Sequence, residues 1–141
     1  MRSRMALQGV LALALLVSSN LGVAQESTSA VAVNEDTFDC IRDMTAVRGF
    51  YVDNLLGDVE ATVAVANSPT GGVYPPGSVV QLVPGEVMVK HGKGFSPATK
   101  DWEFFELDVS RDGSIIKKRG FVDVDNRFGG NCFTCHVQAK P

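Results

Sequence analysis

The apolar residues Leu55, Leu56, Val59, Val63 and Ala66 recur at three- and four-residue spacings. That period marks one face of an α-helix, so the pattern predicts a helix over 54–66, ended by Asn67-Ser68-Pro69. Beyond the breakers Gly71-Gly72 and Pro75-Pro76-Gly77 the period shortens to that of strands. Strands are predicted over Ser78–Val83, Glu86–Lys90, Trp102–Val109 and Ser114–Val124, with Pro84-Gly85 and Asp112-Gly113 as turns between antiparallel neighbours. Within Trp102–Val109, Phe105, Leu107 and Val109 share one face, while Trp102 and Phe104 share the other with Glu106 and Asp108. Both faces therefore receive aromatic surface. Upstream, Asp36 can cap a short helical turn with Phe38, Ile41 and Met44 facing inward. The composition of Val47–Asp53 favours a strand, although its periodicity also permits a helix. Asn126–Asn131, with Gly129-Gly130, reads as a flexible lead into a last helical turn. The predicted class is α+β: mainly an antiparallel β-sheet, with a few short helices and a C-terminal helix that carries the chain's most distinctive chemistry.

The N-terminal stretch changes the picture. Residues 1–24 have the form of a secretory signal: Arg2 and Arg4, an apolar middle over Val10–Val17, and the small residues Gly22-Val23-Ala24 before a cleavage point. The apolar run is too short for a membrane span. Residues 25–35 read as a flexible polar arm, and 36–141 as one domain. The 141-residue chain has 13 basic and 16 acidic residues, a net charge of −3 that becomes more negative once Arg2 and Arg4 are removed. No basic run with interleaved aromatics occurs, which argues against nucleic acid as a partner. Lys117-Lys118-Arg119 is the one basic cluster and reads as a solvated strand and turn surface.

The candidate chemistry lies in Cys132-Phe133-Thr134-Cys135-His136, the spacing that attaches a c-type haem. On one helical turn, positions three and four apart share a face, so two thiols and an imidazole can address one flat ligand. Cys132 and Cys135 would bind the haem covalently, and His136 would be the iron ligand. For the opposite axial position the candidates are Met44, Met88, Lys90, His91 and Lys93, or no protein ligand. The two methionines read more readily as core, and His91 as an exposed loop residue; an open site walled by Phe104 or Phe105 is the preferred expectation. A zinc site would have to recruit Cys40, His91 or carboxylates, and a thioredoxin-like pair would sit in a strand-helix-strand unit. Cys40 is left unpaired by the haem motif, and the stop at Pro141 predicts a further segment that could hold its partner.

Tyr74-Pro75-Pro76-Gly77-Ser78-Val79-Val80, Val89-Lys90 through Lys93 and Phe95, Asp101-Trp102-Glu103-Phe104-Phe105 and the terminal motif together resemble the cytochrome P-460 family, which includes the β-sheet cytochromes c-prime. The resemblance covers roughly residues 45–138. It implies a periplasmic, usually dimeric protein with an antiparallel sheet and a high-spin haem whose distal pocket binds nitric oxide or oxidises hydroxylamine. It also implies a pocket role for Arg48. The family's crosslinking lysine falls at Leu82 here, which weakens the oxidase expectation unless Lys90 or Lys93 substitutes. Glu86, Glu103 and Glu106 are possible bases by composition, better read as surface carboxylates. The expected function is an exported mono-haem protein that binds a small diatomic ligand such as nitric oxide, in an apolar pocket that excludes anions, or passes electrons to a redox partner protein. A hydroxylamine-oxidising enzyme and a non-haem zinc or thiol module are the alternatives.

Overall fold

The computed structural model describes residues 30–38 and 40–140. The predicted export signal, and the predicted arm as far as residue 29, lie outside the described residues. Six antiparallel strands follow one another in sequence order: β1 (Thr45–Val47), β2 (Phe50–Asn54), β3 (Ser78–Leu82), β4 (Glu86–Lys90), β5 (Trp102–Ser110) and β6 (Gly113–Gly120). Helix α1 (Val59–Asn67) connects β2 to β3, and α2 (Cys132–His136) follows the sheet. The fold is thus α+β and mainly antiparallel sheet. Among the described residues, no helix is long and apolar enough to cross a membrane.

Several boundaries differ from the periodicity for local reasons. Val47–Asp53 is a tight hairpin: Val47 pairs with Phe50 across Arg48-Gly49, both at positive φ (45° and 92°). A two-residue connection of this handedness matches the twist of the flanking strands. Helix α1 starts at Val59 rather than 54, because Asn54 ends β2 and its side-chain oxygen accepts the Leu56 N–H at 2.8 Å, turning the chain. Strand β6 stops at Gly120, short of the predicted Val124. The helical turn predicted from Asp36 is replaced by a turn bonded between Asn34 and Thr37 and a 3-10 turn at Ile41–Asp43.

The sheet has an apolar layer on each face. Val52, Val80, Met88 and Phe104 are successive cross-strand neighbours on one face. Ala66 and Val63 of α1, Val124, and Cys132 and Phe133 join the same cluster. On the other face Val79, Val87, Val89, Phe105 and Leu107 pack with Val31, Phe38, Val33 and Met44. Phe38 meets Phe105 edge to face at 5.1 Å.

The segment predicted as a flexible arm therefore covers a core from residue 31 onward. Val31 is 8% exposed, and its N–H donates to His91 Nδ1 at 2.9 Å. That acceptor role leaves the ring proton on Nε2, which donates to Glu103 Oε2 at 2.9 Å. Arg119 grips Glu103 through Nε and Nη2 at 2.9 and 3.0 Å, and its Nη1 donates to the Val33 carbonyl at 3.0 Å. His91 is thus a buried clamp residue rather than an exposed loop histidine, and Glu103 is buried rather than a surface carboxylate. Burial pushes the Glu103 carboxyl up, but the hydrogen bonds from His91 and Arg119 and the Arg119 charge outweigh it and hold the group below its ordinary range.

Two outcomes follow for stability. Phe105→Ala should cost about 3–5 kcal/mol by chemical denaturation, since the ring is fully buried and its cavity cannot collapse against a sheet. Because the folded Glu103 pKa is depressed, its contribution is present above the usual carboxylate range and is lost as pH falls through the lowered folded value. Glu103→Gln should lower the urea midpoint at neutral pH and flatten its acid-side decline; an unchanged pH profile would count against the clamp.

Candidate haem site

Helix α2 is short, and its position is set by its cap. Asn131 Oδ1 accepts from Thr134 N at 3.1 Å and Thr134 Oγ1 at 3.2 Å, while Nδ2 donates to Val122 O at 2.9 Å and Asp125 Oδ1 at 3.0 Å. Cys132 N–H donates to Val124 O at 3.0 Å. Val124, buried in the site-face cluster, thereby pins the first turn of α2 to the sheet. The far end is held by Lys100 Nζ, which donates to Val137 O at 3.4 Å. Asn131 was not among the sequence-predicted site residues, although an asparagine directly before a helix start is a recognisable cap signal.

This docking places the three residues of the motif differently. Cys132 is half-buried against the site-face cluster, and Cys135 is exposed; both are free thiols. Burial, followed by the Asp125 and Glu86 carboxylates, pushes the Cys132 thiol up, so it stays protonated at neutral pH. His136 lies with its ring 4.8 Å from that of Phe104. Burial and the Lys100 ammonium hold its imidazole below the usual histidine range. The neutral ring keeps a lone pair for a metal at neutral pH.

His136 forms part of the wall of a cleft of about 310 Å³. Met88, Trp102 and Tyr74 supply apolar surface, with Tyr74 and Trp102 edge to face at 5.3 Å. Arg48, Lys90, Lys100 and Lys140 also line the cleft, and among the described residues no carboxylate does. The pocket is therefore not the anion-excluding apolar space that the sequence pattern predicts.

The predicted site residues separate by face. Arg48 lies in the cleft; its Nη2 donates to Ala66 O and, at 3.2 Å, to Ser68 O, closing the C-terminal end of α1. Phe104 is buried beside His136, but Phe105 is not a site residue: one position along the strand, it points to the opposite core. Of the distal candidates, Met88 and Lys90 line the cleft, Met44 and His91 belong to the opposite face, and Lys93 is exposed. Leu82 is half-exposed and lines a separate hollow with Glu86 and Phe128. Glu106 is paired with Lys117 at 2.6 Å. Glu86 Oε1 accepts from Arg127 N at 2.8 Å, and its Oε2 is buried without a hydrogen-bond partner.

The donor set suits a covalently attached haem: two free thiols three positions apart, a neutral imidazole next to the second, and an aromatic floor under that imidazole. It suits zinc less well. His91 is engaged on the opposite face, Cys40 lines another hollow, and among the described residues no three His, Cys, Asp or Glu side chains converge as a metal cage. Comparisons of the chain with protein-family models, curated proteins and solved structures find no match.

Removing the cap should loosen α2 alone. Asn131→Ala is expected to cost about 1 kcal/mol, with hydrogen exchange accelerated over 132–136 while the amides of β3 and β4 stay protected. Uniform protection across both regions would show that the cap does not hold the motif.

Proposed function

We propose that this chain is an exported c-type cytochrome with one haem, attached through Cys132 and Cys135 and held at iron by His136, and that it binds a small ligand in the adjoining cleft. The observation that carries the reading is that the histidine of the Cys-X-X-Cys-His turn forms a wall of a cleft that also contains Met88, Trp102 and Tyr74. When bound, the haem would supply an iron centre able to take small ligands and exchange single electrons. The protein's part is positional and electrostatic. Asn131 and Val124 hold the motif on the sheet, burial keeps His136 neutral, and Phe104 limits its tilt.

The resemblance to the cytochrome P-460 family supports the same reading, as does the signal-like stretch over 1–24, which points to the periplasm or another exported location. Ligand binding is favoured over hydroxylamine oxidation. Leu82, at the family's crosslinking position, lies outside the cleft lining, and Glu103 and Glu106 are committed to ion pairs. Met88 supports a second reading, electron transfer with the thioether as the other axial ligand, because it lines the same cleft as His136.

Mature protein from a host able to attach haem should exceed the mass of its polypeptide by one haem, and Cys132→Ser combined with Cys135→Ser should return it to the bare mass. A wild-type chain at bare mass would sink the proposal. In the holoprotein, a high-spin Soret band that shifts on adding nitric oxide supports ligand binding. Sharp low-spin bands that become high-spin in Met88→Ala would move the assignment to electron transfer.

A further inference from the structure

Four cationic side chains, Arg48, Lys90, Lys100 and Lys140, line one cleft that contains no acidic side chain among the described residues. On β6, by contrast, two cations find carboxylates: Lys117 with Glu106 at 2.6 Å, and Arg119 with Glu103 at 2.9 Å. Among the described residues, none of the four cleft cations makes an ion pair. Three of them donate to backbone carbonyls: Arg48 to Ala66 and Ser68, Lys90 to Lys100, and Lys100 to Val137.

Lys90 bears the largest cost. It is 8% exposed, so water cannot solvate its ammonium freely, and burial lowers its pKa against a smaller opposing effect of Asp101. The ammonium also sits 5.6 Å from the centre of the Trp102 ring. A buried cation of this kind is stabilised most by an anion arriving beside it.

The backbone points the same way. Only three described residues other than glycine have positive φ, and two of them, Arg48 at 45° and Lys100 at 55°, bring their side chains to this cleft. Left-handed backbone disfavours long side chains, and strain of this sort collects where a side chain must be aimed. Glycine or asparagine would relieve the strain at either position and lose the charge.

We propose that the cleft beside His136 is a binding site for a carboxylate or other small oxyanion, held by Arg48, Lys90, Lys100 and Lys140. A planar guanidinium and three ammonium groups suit two or three oxygens of one anion. The anion has two possible sources: a propionate side chain of the attached haem, or a free small oxyanion entering from solvent. The first rests on the cytochrome reading and the second does not.

The two sources separate by experiment. Sodium propionate is titrated calorimetrically, against sodium chloride at equal ionic strength, into holoprotein and into the Cys132→Ala/Cys135→Ala protein. Lys100→Met combined with Lys140→Met is the test variant, since both side chains are at least partly exposed and the fold should survive, as circular dichroism will check. Saturable binding to holoprotein, weakened about tenfold in the variant, identifies a free-oxyanion site. Binding only to the haem-free protein, together with a lower reduction potential of the holoprotein variant, identifies the haem propionate as occupant. If neither form binds propionate and the potential does not move, the anion site is overturned. A chain that carries no haem yet binds propionate sinks the cytochrome reading and leaves the anion site standing.

Discussion

Successive side chains of a strand leave opposite faces of the sheet, and in β5 this period of two places each component of the molecule. Trp102 and Phe104 look toward α1 and α2; Glu103, Phe105 and Leu107 look toward the N-terminal segment. A one-residue slip would exchange the two sets and put a carboxylate where His136 needs an aromatic floor. Pairing of Met88 with Phe104 and of Val87 with Phe105 fixes the register on both faces at once.

The two faces treat buried charge in opposite ways. On one, His91, Glu103 and Arg119 satisfy one another and use their remaining donor and acceptor capacity on the backbone at Val31 and Val33. Charge there closes the fold, because every buried polar atom of the network has a partner. On the other, the cations of the cleft form no ion pair among the described residues: Arg48, Lys90 and Lys100 donate to carbonyl oxygens, and the Lys90 ammonium also lies over the Trp102 ring. Partial charges offset a buried ammonium less completely than a carboxylate does, which leaves that face electrostatically incomplete and receptive.

Local backbone conformation links these surfaces. Arg48 occupies a tight hairpin turn, yet its guanidinium reaches across to the C-terminal carbonyls of α1, which ties the β1–β2 hairpin to the helix beside the cleft. Lys100 does the same for the far end of α2 from the loop before β5. Strained positions at the rim thus serve both packing and electrostatics, and relaxing one would loosen the other.

Much of the architecture was legible in the chain itself. The alternation of Trp102–Val109, the turn dipeptides Pro84-Gly85 and Asp112-Gly113, and the breakers at 71–77 specify an antiparallel meander, because strand period and turn chemistry are local properties. The Cys132-Phe133-Thr134-Cys135-His136 spacing likewise contains its own geometry, one helical turn. What the chain could not disclose was contact between distant segments. That His91 meets Val31 sixty positions away, that Phe105 turns its back on His136, and that Arg48, Lys90, Lys100 and Lys140 converge on one cleft were decided only by the folded sheet. The physical reason is that burial and charge pairing depend on what each face packs against, and no spacing along a polymer encodes that without its tertiary partners.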